Sequence, residues 1–164
     1  MNYFQIMMTG TKEKIYVPPL GLWATLMIWY HTLVVIYQMK RTDSNKLLHQ
    51  LNNVSTIRTF SFKREIDRYL FARRVVFTSS QVIQFFHKRA LCLERSIAIS
   101  TSLRIMGLPS QVVIGQRAAM AADEEFECHA WVELDGVPIN DYVSRKYWFN
   151  ELYRVPESKE GESA

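Results

Sequence analysis

Only two cysteines, Cys92 and Cys128, occur among 164 residues. A small secreted disulfide scaffold usually carries more, so a reducing, cytoplasmic setting is expected, although two suffice for one bridge. No CxxC pair is present, which removes the usual basis for a thiolate zinc site; neither metal nor cofactor is expected. Also absent is a basic stripe interleaved with aromatics on a recognisable nucleic-acid module. The net charge is +4, with basic residues thickest between Lys63 and Arg89. These read as solvated helix faces, able to attract an acidic peptide or partner, with no nucleic acid expected. There is no internal repeat. No small-residue cleavage site follows the long apolar run near the N-terminus, so that run is not a signal peptide.

The run itself, Leu20 to Met39, reads "LGLWATLMIWYHTLVVIYQM" and is bracketed by Lys12 and Lys14 before it and Lys40 and Arg41 after it. That is about the length needed to span a bilayer. Gly21, Thr25, His31 and Thr32 interrupt it. A helix apolar all round is either a span or the central helix of a packed domain. A buried or interface-lying helix is the favoured reading, and membrane association through Leu20 to Met39 stays open.

What is present suits one globular domain: 48% apolar and 22% charged residues, enough chain for a core of its own. The domain is expected over residues 1–155, with Pro156–Ala164 a polar, disordered tail. Residues 1–19 are irregular and end in Pro18-Pro19, which marks a helix start. Helices are expected from Gly21 to Met39, from Lys46 to Leu51 with Asp43 or Ser44 as cap, and from Lys63 onward, where Ile66, Tyr69, Leu70 and Val76 recur at helical spacing. The β-branched run Val75 to Ser80 is expected to break this last helix, with Ser79 or Ser80 capping another through His87. Leu93 to Met106 is the clearest helix, stopped by Gly107 and Pro109; its middle is small (Ser96, Ala98, Ser100, Thr101, Ser102), which lets a neighbour come close. The period then becomes two. Strands are expected at Gln111–Gly115, Glu127–Glu133 and Val137–Asp141, with a loop over 116–125 and a turn at Asp135-Gly136. Helices followed by a small antiparallel sheet make an α+β fold.

Cys92 falls where the strongest helix begins. A helix start carries partial positive charge and unpaired N–H groups. Such a place favours a thiolate and offers donors for an oxyanion. A nucleophilic cysteine needs a base, and the base an orienter; the segment "FECHAWVELDGVPIND" offers His129 and Asp141. With a two-residue Asp135-Gly136 loop, Ala130 would pair with Asp141, and His129 and Asp141 would point to opposite faces. With a three-residue Leu134-Asp135-Gly136 loop, His129 lies opposite Asp141. The second register is predicted, turning Cys128 away into the interior and putting Trp131 on the His129 face. Inert core cysteine, structural histidine and turn aspartate are the competing readings, as are a Cys92–Cys128 disulfide and a Cys92/Cys128/His129 metal site. His31, His49 and His87 have no evident orienting carboxylate. Glu94 and Arg95 brace the cysteine rather than act in chemistry.

"CLERSIAISTSLRIMGLPSQVVIGQ", "HAWVELDG" and then Asp141 resemble the transglutaminase-like cysteine proteases of bacterial lasso-peptide biosynthesis, the leader-peptidase part of the B protein. The likeness is strong from about Arg89 to Asp141 and looser over Pro18 to His87. It implies a papain/transglutaminase-like fold with a Cys92, His129, Asp141 triad. It implies a hydrolase that removes the leader from a precursor peptide, working with a leader-recognition protein and a lasso cyclase. With only about 19 residues before the first helix, the chain resembles the stand-alone peptidase form, or a protease part cut from a fusion. Trp131, Tyr142 and Trp148 are candidate substrate-groove residues, with core packing the alternative for each. An amide transferase of the same superfamily and a non-enzymatic scaffold with a vestigial triad are the rival readings.

Overall fold

A computed structural model describes residues 17, 19–117, 127–141 and 148–156. Pro18 and the irregular segment expected before it, most of the expected 116–125 loop, Tyr142 and the tail from residue 157 lie outside them. Four α-helices precede four strands within the described residues: α1 (Leu22–Met39), α2 (Ser44–Gln50), α3 (Glu65–Phe86) and α4 (Cys92–Ile105), then β1 (Ser110–Arg117), β2 (Cys128–Leu134), β3 (Val137–Pro138) and β4 (Phe149–Val155). The sheet is antiparallel throughout, in the order β3-β2-β1-β4. This is the expected α+β arrangement.

The small residues of α4 explain its position. Nine of its fourteen residues are buried, so it runs through the centre with the sheet on one side and α1 and α3 on the other. Buried hydroxyls need partners: Thr101 bonds back to Ile97 O within the helix at 2.9 Å, and the three serines find theirs across an interface. Ser96 Oγ donates to the Ala130 carbonyl of β2 at 3.1 Å. Ser100 meets Ser110 of β1 at 3.0 Å. Ser102 meets Thr32 of α1 at 3.0 Å and Ser79 of α3 at 3.3 Å. The helix ends as its sequence requires: Gly107 (φ 76°) donates to Arg104 O at 2.9 Å and Leu108 to Leu103 O at 3.0 Å, the paired bonds of a Schellman stop.

Three expectations are corrected. First, α3 does not break at Val75–Ser80 but continues to Phe86. Val75 and Val76 are buried, Thr78 bonds back to Arg74 O at 2.9 Å and Ser79 joins the buried hydroxyl cluster. Tertiary packing here outweighs the modest helix penalty of β-branched residues. Second, a fourth strand, β4, lies beside β1, which the sequence pattern did not announce. Third, β3 stops at Pro138 rather than Asp141.

Candidate active site

The start of α4 is braced from outside the helix. Leu91 is its N-cap and has no side-chain acceptor, so no ordinary cap bond forms there. Instead the Glu94 carboxylate accepts the Leu91 N–H at 2.8 Å and meets His87 Nε2 at 3.1 Å. Arg95 Nη2 donates to the Lys88 carbonyl at 3.4 Å. The segment 87–91 is thus tied to the first helical turn, and His87 has an orienting carboxylate after all. Cys92 is half-buried. Its N–H and that of Leu93 fall in the first turn, where no intrahelical acceptor exists.

His129 and Asp141 are in contact through His129 Nε2 and Asp141 Oδ2, both side chains largely enclosed. The predicted route to this contact is wrong. Leu134 pairs with Val137 and Glu133 with Pro138, so the loop is the two-residue Asp135-Gly136. Both its residues have positive φ, 51° and 75°, the type I′ turn that Asp-Gly favours in hairpins. Regular pairing in that register would turn Asp141 away from His129. Pairing does not stay regular. Ile139 N still donates to Val132 O at 2.9 Å, but the return bond from Val132 N goes to the Asn140 side chain, Oδ1, at 2.7 Å. The chain over residues 139–141 leaves strand geometry, and Asp141 reaches the imidazole without obeying the alternation of a ribbon.

Behind the imidazole lie two aromatic rings. Trp131 stacks on His129 with centroids 6.2 Å apart and planes 22° apart, and Phe149 lies at 5.3 Å. Trp131 is 3% exposed; it fills the support behind His129 rather than lining an open groove. Its Nε1 donates to Glu133 Oε1 at 3.0 Å. Glu133 is fully buried and accepts from Arg154 Nη1 at 2.9 Å. Arg154 grips Glu151 with a two-pronged bond, 2.8 and 2.7 Å, and reaches Gln111 at 2.9 Å. The Glu151 bond, together with Glu133, raises the guanidinium pKa despite burial. Sequence reasoning missed this network because Glu133 and Arg154 lie far apart in the chain and β4 was unassigned.

Two predictions arise from this support. Arg154→Ala removes the guanidinium from a fully buried carboxylate, a change that costs about 3–5 kcal/mol. Urea unfolding at neutral pH checks it, and Glu133→Gln in the same chain should restore part of the loss. A side chain at Gly115, the register partner of His129, would sit 2.9 Å from both Phe149 Cβ and the Trp131 ring. Gly115→Ala therefore displaces the two rings beside His129. Overpacking costs about 1–3 kcal/mol, and urea unfolding beside the parent reads the loss.

The remaining candidates separate clearly. Ser96 lies one turn beyond Cys92 on the same helix face and is bonded to Ala130, the residue after His129. Ser100, one turn further, meets Ser110, the register partner of Leu134, so α4 runs in the direction of β2 and its Cys92 end lies toward the His129 end of that strand. Cys128 is exposed rather than turned into the interior, and both cysteines are free thiols. Among the described residues no cluster of three metal-ligating side chains forms. Trp148 is 62% exposed, next to Phe149. His31 sits on α1, where burial lowers its pKa, and His49 in the last turn of α2.

A helix opened by cysteine, followed by a sheet that holds a histidine–aspartate pair, now has a counterpart. The family model of the transglutaminase-like superfamily matches residues 42–154. The chain belongs to that superfamily. It includes cysteine proteases, and α2 to β4 of this chain compose its transglutaminase-like domain. No curated protein and no solved structure matches the chain significantly.

Proposed function

We propose that this transglutaminase-like protein is a cysteine peptidase that removes the leader from a ribosomally made lasso-peptide precursor and delivers the core peptide to a partner macrolactam cyclase. The observation that carries the peptidase reading is the His129–Asp141 contact, set at the end of β2 to which the Cys92 helix is clamped. The likeness of residues 89–141 to lasso leader peptidases supports the substrate class.

Asp141 holds Nε2, so Nδ1 is the nitrogen that exchanges a proton with Cys92. The thiol gives its proton to Nδ1, and the thiolate attacks the scissile carbonyl. A carbon–sulfur bond forms and the carbonyl electron pair moves to oxygen, where helix-start N–H groups receive it. The Leu91 N–H is already committed to Glu94, which leaves those of Cys92, Leu93 and Glu94. The imidazolium protonates the leaving amine as the C–N bond breaks, releasing the core peptide. Water then gives a proton to His129 and its hydroxide attacks the thioester. Collapse expels the Cys92 thiolate and frees the leader acid.

The test is incubation with a lasso precursor and its leader-recognition protein, read by mass spectrometry. Hydrolysis yields a leader ending in a carboxylic acid and a core with a free amine. A product joined to an added amine instead identifies an amide transferase, and unchanged precursor under conditions where the recognition protein binds it removes the leader-peptidase reading.

A further inference from the structure

We propose that the protein docks on an anionic lipid surface through the outer face of α1, lying in the interface rather than crossing the bilayer. The inner face of α1 is committed. Ala24, Ile28, Thr32, Val35 and Ile36 are buried, and the Thr32 hydroxyl bonds both Ser79 and Ser102, at 3.1 and 3.0 Å. The helix is long and apolar enough to cross a membrane. Crossing would strip that buried face from the core and take the Thr32 hydroxyl from both its partners, a cost of the order of 1–3 kcal/mol for such a group.

The outer face has the opposite character. Leu22, Trp23, Leu26, Trp29, Tyr30 and Tyr37 are exposed, Leu22 by 77% and Trp29 by 45%. Their three- and four-residue spacing makes one stripe along the helix. Soluble surfaces rarely leave a continuous apolar stripe in water, and Trp and Tyr are the residues favoured at a lipid–water boundary.

Charge selects the occupant. No carboxylate occurs between Val17 and Thr42; the next, Asp43, caps α2. Lys40 and Arg41 follow the stripe, and the Arg41 guanidinium lies over the Tyr37 ring at 4.3 Å. At the other end, Leu20 shares an open groove of about 560 Å³ with Arg73, Arg74 and Phe77, and Phe77 is 65% exposed. Arg73 uses one Nη to hold the Ile139 carbonyl at 2.9 Å. An apolar aromatic stripe with cations at both ends fits headgroup phosphates above acyl chains.

The full-length chain is mixed with sonicated vesicles of phosphatidylcholine alone or with phosphatidylglycerol added, then pelleted. Binding to the anionic vesicles and a blue shift of tryptophan emission are expected, with added salt weakening both. Trp23→Ser with Trp29→Ser should lower the partition coefficient roughly tenfold or more, and Lys40→Glu with Arg41→Glu should remove the preference for anionic vesicles. These side chains are exposed, so circular dichroism should match the parent. Failure of the parent to pellet, or equal pelleting by the Trp variant, overturns the proposal. Self-association in sedimentation velocity that the Trp variant abolishes, without vesicle binding, assigns the stripe to a second copy and overturns it too.

Discussion

On the proposed peptidase reading, Cys92→Ala should leave the precursor peptide intact. Removing the nucleophile of a catalytic triad costs on the order of 10⁶-fold in kcat, beyond what mass spectrometry of an overnight incubation detects. The substitution spares the fold, because Cys92 is only half-buried and alanine is the best helix former. The His87–Glu94–Leu91 brace does not involve its side chain. The variant should therefore keep the parent's unfolding midpoint and still retain precursor in a pull-down with the recognition protein. Cys128→Ala, by contrast, should cleave at the parent rate, since that thiol is exposed and the alternation of the strand sets it on the face opposite His129. Cleavage persisting in Cys92→Ala, or lost in Cys128→Ala, would transfer the chemistry to another group.

Asp141→Asn tests the second half of the site. The amide has nearly the shape of the carboxylate, but its NH₂ can donate to Nε2. That would leave the proton on Nδ1, the nitrogen that must accept one from Cys92. It also removes the negative charge that steadies the imidazolium. A triad treated this way loses on the order of 10⁴ in kcat, about 5.5 kcal/mol. Stability should change far less, because the polar contact is kept in altered form. Single-turnover cleavage beside a denaturant titration separates the two. A rate within tenfold of the parent would show that Asp141 does not orient the base.

The order of elements was readable in the sequence wherever local chemistry decides. Gly107 stops α4 because only a left-handed residue makes the Schellman bonds, and period two in "QVVIG" gives β1. Asp135-Gly136 was legible as a turn, and its own propensity pointed to the type I′ loop that forms. The three-residue loop is needed to set His129 opposite Asp141 only if both strands keep their alternation. Asn140 ends that alternation by supplying a side-chain acceptor in place of a ladder carbonyl, and no periodicity records such a swap.

β4 was hidden for a related reason. Its register against β1 shifts between Ile114 and Gly115, and it forms the sheet edge, exposed over most of its length. "FNELYRV" consequently lacks alternation. With it went Arg154 and Phe149, two of the groups that support Trp131 and His129. The break expected at Val75–Ser80 failed in the opposite sense: propensity argued for a stop, and burial against α1 and α4 kept the helix whole.

The hydroxyl clamp between Ser96 and Ala130 sets a tolerance for the whole apparatus. One hydroxymethyl group is the spacer between α4 and β2 at this point. Any larger residue there would act as a wedge, parting the helix that Cys92 opens from the strand that carries His129.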